Sequence, residues 1–293
     1  MIGTHLKILQ PMKYIWLYFA ISLAVIIPGT YSLIRYGLKP SIDFTGGSNF
    51  IWQSSTLSRE QLDAKAKELG INLLSVEQSG DQWTIATAPL ESSKYQQFKQ
   101  EGIQELSFDL VGPSLGAELI KKTLYGITLA AFLILFYVAY RFKNFKFGAS
   151  AILAMLHDSL VLLGVFSLLG HYLNVEVDTL FVTALLTILS FSVHDTIVVF
   201  DRIRELKKSH GYLDFTDLVN RAVVETMGRS LNNSMTIIFM LLAMYLLGGE
   251  TTKWFIFALL VGTISGTYSS TFTAAPILIV WEKLSRRQSK SNT

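Results

Sequence analysis

The sequence predicts an α-helical polytopic membrane protein of six spans with a compact α+β domain inserted after the first. Hydrophobic residues make up 51% of the 293-residue chain and charged residues only 16%, whereas soluble domains carry about 25% charged residues. Mean hydropathy is +0.40. The charges that remain gather in short basic stretches between long apolar runs and in a single polar block near the N-terminus.

Six apolar runs are long enough to cross a hydrocarbon core of roughly 30 Å at about 1.5 Å per residue. They are Tyr14–Ile34, Thr123–Tyr140, Phe147–Leu169, Val177–Phe200, Leu231–Gly248 and Trp254–Trp281. The first is too long for a cleaved leader, and Pro28-Gly29 is not a small-x-small cleavage site. Lys7 and Lys13 precede the first run, and Arg141, Lys143 and Lys146 fill the turn after the second. Arg202, Arg204, Lys207, Lys208, Arg221 and Arg229 follow the fourth, and Lys283, Arg286, Arg287 and Lys290 follow the sixth. With six spans all four basic segments share one side, so the positive-inside rule predicts cytosolic termini and an external polar block. The chain divides into a cytosolic N-terminus (1–13), a first span (14–38), an extracytoplasmic domain (39–119), a five-helix region (120–284) with a cytosolic loop (201–230), and a cytosolic tail (285–293).

The polar block reads strand, helix, strand, strand, helix, strand. Asn49–Ser54 is strand-like. Ser58–Leu69 opens on Ser-x-x-Gln, the spacing of a capping box, and stops at Gly70. Ile71–Gln78 and Gln82–Ala88 are β-type runs split by the turn residues Ser79-Gly80-Asp81. Glu91–Gln100 is helical and Ile103–Val111 extended. This order is the split-βαβ, ferredoxin-like arrangement. It carries no metal-ligand spacing, phosphate loop or nucleophile triad, so the block reads as an interaction domain and not as an enzyme.

With no cysteine in the chain there is no disulfide, thiolate zinc site, iron–sulfur cluster or thiol nucleophile. The net charge of +3 is accounted for by the flanks of the spans and gives no footprint for nucleic acid.

Chemistry points into the spans. His194 and Asp195 interrupt the fourth run, and His157 and Asp158 the third. An ionisable side chain near the bilayer centre costs about 3 kcal/mol on insertion scales, so its default reading is functional. Asp195 has Ser192 at i−3 and Arg202 at i+7 on its face, the latter about 10 Å along the axis. Ser192 is expected to support a proton wire at Asp195. Arg229, at the head of the fifth span, divides between cytosolic anchor and counter-ion to Asp195. Asp158 divides between a proton role and a packing lock. Adjacent residues on a helix point about 100° apart, so neither His157 with Asp158 nor His194 with Asp195 is expected to form a dyad, and His194 reads as an interhelical hydrogen bonder. Ala258, Gly262, Gly266, Ser270 and Ala274 repeat at four-residue spacing in the sixth run, a stripe for close helix packing. Asp43 before Gly46-Gly47 reads as a tight turn at the membrane surface.

Three motifs carry a family resemblance. Ile42-Asp43-Phe44-Thr45-Gly46-Gly47 resembles the Asp-Phe-x-Gly-Gly signature of SecD/SecF proteins, and Val111-Gly112-Pro113-Ser114-Leu115-Gly116-Ala117-Glu118-Leu119 is similar to the family's returning motif. Ser192-Val193-His194-Asp195-Thr196-Ile197-Val198-Val199-Phe200-Asp201-Arg202-Ile203-Arg204-Glu205 closely resembles the fourth-span signature of its SecF members. The chain departs at Ser41, where the family usually has glycine, and at Glu225-Thr226-Met227-Gly228-Arg229-Ser230, where Gln-x-Leu-Ser-Arg-Thr is usual; Glu225 is expected to compete for the arginine. The resemblance implies an RND-like bundle in a bacterial cytoplasmic membrane and a SecD partner. It also implies association with the SecYEG translocon, with YajC, with unfolded polypeptide and with lipid. Protons are the coupling ion, no cofactor is required, and Asp195, Arg229, Asp158, Ser192 and His194 line their path. The alternative is half of an RND-type proton-coupled transporter for small molecules. An intramembrane aspartyl protease lacks its Gly-x-Gly-Asp flank here.

Overall fold

A computed structural model describes residues 10–99, 102–142 and 144–291. Lys7 and Lys143, counted above among the basic flanks, lie outside the described residues, as do the side chains of Arg286, Arg287 and Lys290. The chain divides into two compact units, one of Pro40–Gly126 with Glu176–Thr179 and one of the remainder.

In the larger unit a 3-10 turn (Pro11–Tyr14) leads into α1 (Ile15–Tyr36). The remaining long helices are α5 (Pro113–Phe142), α6 (Phe145–Leu173), α7 (Thr179–Ser209), α8 (Phe215–Leu247) and α9 (Glu250–Ser269); α9 continues through a π turn (Ser270–Ala274) into α10 (Ala275–Ser291). Among the described residues six helical stretches are long and apolar enough to cross a membrane, α9 to α10 forming the last. The segment 201–230, expected as a loop, is helical except at 210–214: Leu206, Leu218, Val219, Ala222 and Val223 are buried in one core with Phe200 and Ile203. That apolar stripe extends α7 and α8 beyond the purely apolar runs.

Two helices touch at the backbone. A Cβ built on Gly164 of α6 would lie 2.6 Å from the Gly29 Cα of α1, and one on Gly29 would lie 2.9 Å from the Gly164 Cα. Beside that contact Ser32 and Ser167 share a hydrogen bond at 2.9 Å, and Ser167 donates to the Gly37 carbonyl at 2.7 Å. Close approach and hydroxyl pairing are the means of holding helices together where lipid supplies no hydrophobic drive. Large apolar side chains on α1 (Trp16, Leu17, Ile21) and α5 (Leu129, Phe132, Phe136) remain exposed, as a lipid-facing surface requires.

The smaller unit begins with a single turn, α2 (Ile42–Thr45), followed by β1 (Gly47–Gln53), α3 (Arg59–Glu68), β2 (Leu73–Ser79), β3 (Gln82–Thr87), α4 (Ser92–Phe98) and β4 (Gln104–Val111). The strands pair antiparallel in the order β2-β3-β1-β4, the ferredoxin-like topology expected. Ser58 and Gln61 form the capping box in full, and Gly80, at φ +60°, makes the two-residue hairpin. Phe50, Trp52, Trp83, Ile85 and Leu62 are fully buried or nearly so; burying one such side chain contributes about 1.5–3 kcal/mol.

Candidate functional site

The borders of the inserted unit hold its family motifs in one place. Ser41 caps α2 by accepting from the Asp43 amide at 3.2 Å, which gives the serine a role that the usual glycine lacks. Asp43 accepts from the amide and hydroxyl of Thr179 at 3.1 and 2.8 Å, so its carboxylate caps the first residue of α7. Phe44 and Gly46 present their backbones to α5: a Cβ on Gly116 would meet the Phe44 oxygen at 2.9 Å and the Gly46 nitrogen at 3.0 Å. Gly112 accepts from the Gly116 amide at 3.0 Å, and Pro113 is the first residue of α5. Gly47 has no room for a side chain either, since its Cβ would lie 2.6 Å from the Thr87 carbonyl. The expected turn at Asp43 is a helical turn, and the acid's work is capping.

In the larger unit the two intramembrane acids have separate surroundings. Asp158 of α6 is 0% exposed. It accepts from Ser192 of α7 at 2.6 Å and from Ser265 and Ser269 of α9 at 2.6 and 2.5 Å. His157 Nδ1 bonds the same carboxylate at 3.0 Å, and His157 Nε2 faces the Ser22 hydroxyl of α1 at 3.1 Å. Three helices therefore meet on one carboxylate, and α1 joins them through His157. This corrects two expectations. Ser192 serves Asp158 and not Asp195, because its hydroxyl projects toward α6. His157 and Asp158 do pair, because side chains whose Cβ bonds diverge by about 100° still bend toward each other over the length of an imidazole and a carboxyl.

Asp195, 4% exposed, accepts from Ser230 of α8 at 2.6 Å. One turn along, Ser234 of α8 is bonded by Thr267 of α9 at 2.7 Å. Hydroxyls thus line both acids from α7, α8 and α9. Arg229 is exposed and, among the described residues, has no ion pair or hydrogen bond. Glu225 does not compete for it: its carboxylate takes Arg202 at 2.6 Å and Arg221 at 2.8 Å, because α8 turns that face toward the extension of α7. His194 is exposed and lines a groove with Leu133, Tyr137, Val193 and Ile197 between α5 and α7. No interhelical hydrogen bond is formed by it among the described residues.

The small-residue stripe lies on the seam. Ala258 and Ala274 are 0% exposed, as is Ser270, whose hydroxyl bonds the Thr267 carbonyl within its own helix. A Cβ on Gly262 would meet Ile188 of α7, and one on Gly266 would lie 3.5 Å from the Ser192 Cα. Close approach at these glycines brings Ser265 and Ser269 within reach of Asp158. Sequence reading passed over Ser22, Ser230, Ser265 and Ser269. Their signal was present: hydroxyls at i and i+4 inside an apolar span, at Ser265/Ser269 and again at Ser230/Ser234.

At the basic end of the bundle, ion pairs tie the helices across their tips. Arg141 and Arg204 both meet Asp201, Lys146 reaches Glu282 at 2.7 Å, and Arg202 bridges Glu205 to Glu225. Among the described residues no group of His, Cys, Asp and Glu could hold a metal ion.

Residues 91–284 match the family of protein export membrane proteins SecD/SecF, C-terminal region. The protein translocase subunit SecF of Thermobaculum terrenum is 40% identical, the alignment covering 92% of this chain and 93% of that one. The SecF subunit of Anaerolinea thermophila is 39% identical over 91% of this chain and 92% of its own. Among solved structures, SecDF, a translocon-associated membrane protein from Thermus thermophilus, superposes with a TM-score of 0.85 at 29% identity, over 97% of this chain. SecDF in a super-membrane-facing form gives 0.72. This chain spans 40% of the length of either SecDF chain. By motif order, fold and sequence identity, the chain belongs to the SecD/SecF family of protein-export membrane proteins.

Proposed function

We propose that this chain is the SecF half of a two-part accessory to the Sec translocase, which uses the proton gradient to promote export of preproteins across the bacterial cytoplasmic membrane. A SecD chain supplies the other half, since SecDF relatives carry far more chain than this one matches. Both termini face the cytosol and the α+β unit faces outward, a reading supported by the basic residues at one end of the bundle. The outward unit engages the unfolded polypeptide as it emerges from SecYEG, and YajC accompanies the assembly.

Protons are the coupling ion. The observation that carries this reading is Asp195: a carboxyl 4% exposed inside an apolar helix, bonded by the Ser230 hydroxyl and, among the described residues, without an Arg or Lys partner. An approaching cation favours the ionised form of a carboxyl, so movement of Arg229 toward it drives proton release. One charge crossing 100 mV supplies about 2.3 kcal/mol, and a few such steps bias a two-state conformational equilibrium strongly.

The test is a pulse-chase of a secreted precursor in cells carrying either the native chain or Asp195→Asn, with chain abundance and membrane potential followed in parallel. Precursor accumulation at normal abundance and potential is the expected result. Unchanged export removes proton-coupled translocation and leaves small-molecule antiport as the function of the buried acids.

A further inference from the structure

A cleft opens at the basic end of the bundle, between the start of α1 and α10. Phe19 forms one wall and Ile277, Val280, Trp281, Leu284 and Ser285 the other, around a volume of about 330 Å³. Both walls are braced by neighbouring rings. Trp16 meets Phe19 edge-on at 6.1 Å, and Phe145 of α6 meets Trp281 edge-on at 5.6 Å. From Ile277 to Ser285 the lining runs about 12 Å along the helix axis. A helix with its side chains is about 10–12 Å across and would fill about 1,000 Å³ over that length. The cleft therefore suits a single hydrocarbon chain and not another span.

Aromatic side chains set its depth. Tyr14 and Trp16 are exposed at the start of α1, and Trp281 lines the cleft itself. Trp and Tyr collect at the headgroup level of a membrane, so the mouth of the cleft lies at that level and Ile277, one turn before Trp281, lies deeper. Ser285, one turn beyond Trp281, stands at the mouth, and its hydroxyl has no hydrogen bond with another described residue.

The surroundings are cationic. Lys13, in the turn that leads into α1, is exposed and, among the described residues, has no ion pair. It precedes Phe19 by about 10 Å along the axis. Lys283 is likewise exposed and without an ion pair among the described residues. Glu282, the one acid of α10, is met by Lys146 at 2.7 Å. The sequence of α10 then continues through Arg286, Arg287 and Lys290. A basic cluster immediately beyond a span attracts anionic lipid.

We propose that this cleft holds one anionic phospholipid, with an acyl chain laid between Phe19 and α10 and a phosphate that accepts from the Ser285 hydroxyl and pairs with Lys13. The apolar walls alone would admit any acyl chain. The hydroxyl and the lysine at the mouth favour a phosphate with uncompensated charge over one neutralised by choline. The bound lipid joins the first span to the last where they meet the headgroups, and the site does not rest on the export reading.

The test places the full chain in phosphatidylcholine nanodiscs containing a small share of phosphatidylglycerol or phosphatidylcholine whose acyl chain carries a photoactivatable diazirine. Titration gives the affinity of each probe, and peptide mapping gives the site of labelling. The phosphatidylglycerol probe is expected to label Phe19 and the segment 277–284 saturably. Lys13→Gln is expected to weaken phosphatidylglycerol by about fivefold and to leave phosphatidylcholine unchanged. Lys208→Gln, an exposed lysine on the extension of α7, should change neither. Val280→Trp fills the slot and should abolish labelling by both probes; if it does not melt with the native chain, Ser285→Ala takes its place and should weaken phosphatidylglycerol alone. Equal affinity for the two lipids overturns the proposal, as does a preference that Lys208→Gln reduces as much as Lys13→Gln. Labelling confined to other helices, or cleft residues that cross-link to a second copy of the chain in place of lipid, also overturns it. Each of these outcomes stands whatever Asp195→Asn does to export.

Discussion

The Ser230 hydroxyl donates to the Asp195 carboxylate at 2.6 Å between α8 and α7, so the acid is met by the sequence neighbour of Arg229 and not by Arg229 itself. A buried carboxyl that loses its one donor is left unsatisfied, at a cost of about 1–3 kcal/mol. Ser230→Ala is expected to destabilise the chain by that amount in thermal melts of purified protein. Arg229→Gln, at an exposed site without a partner among the described residues, is expected to stay within about 0.5 kcal/mol of the native chain. Equal destabilisation by both would show that the arginine holds the acid after all.

Two glycines in the bundle separate backbone contact from side-chain contact. At Gly164 an added methyl meets the Gly29 backbone at 2.6 Å, and neither helix can retreat without opening the Ser32–Ser167 bond. Gly164→Ala is expected to cost about 1–3 kcal/mol. At Gly262 the methyl meets both Cβ branches of the buried Ile188 as well as its Cδ1, and a β-branched side chain in a helix has one strongly preferred χ1 rotamer, so Gly262→Ala is expected to cost about 1–3 kcal/mol as well. Melting midpoints in one lipid or detergent check both.

Capping by Asp43 makes a distinction between charge and acceptor. Asn retains an oxygen for the Thr179 amide and hydroxyl, whereas Ala retains nothing. Asp43→Ala is expected to cost about 1 kcal/mol and Asp43→Asn a few tenths, with faster amide exchange at the first turn of α7 in the alanine variant only. An asparagine variant as unstable as alanine would assign the position to charge.

The inserted unit has a pH dependence of its own. Lys99 and Tyr95 bond Glu105 at 2.7 and 2.6 Å, and these two hydrogen bonds, Lys99 foremost, hold the carboxyl below its ordinary range. A group whose pKa is lowered by folding stabilises above its unfolded value, and that contribution is lost as pH falls through the folded one. Tyr95 is pushed from 10.0 up to about 12, by burial first and then by the Glu105 hydrogen bond. Its contribution is complete below pH 10 and disappears as the pH rises toward 12. Glu105→Gln is therefore expected to flatten the acid limb of amide protection in β1 and β4, and Tyr95→Phe the alkaline limb. Hydrogen exchange on the full chain across pH measures both.

Much of this architecture is legible in the sequence, because span length, alternation and caps are local properties. Ser58 and Gln61 announce the start of α3, and Gly80 announces the hairpin. The network around Asp158 is harder to read, since its donors come from α1, α6, α7 and α9 and converge only once those helices pack. The small-residue stripe in α9 was visible, but its purpose was not: Gly262 and Gly266 bring the backbone close enough for Ser265 and Ser269, which occupy neighbouring faces, to reach across. Arg229 illustrates the opposite limit. Its place in a motif marks it as important, yet which way an arginine points at the head of a helix is decided by surroundings the local sequence does not encode.

The π turn at Ser270–Ala274 acts on the last span as a dislocation acts on a crystal row. A π turn holds one residue more than the α turn it replaces, so residues beyond it are displaced by about 100° in phase relative to those before. The half preceding the fault addresses Asp158 through Ser265 and Ser269; the half following it places Leu278 and Ile279 in the core and Glu282 against Lys146. An unbroken α-helix has only one phase, and could not keep both sets of partners in register. Deleting one residue from 270–274 would heal the fault and force the helix to choose, keeping either its hold on the buried acid or its tie at the basic end.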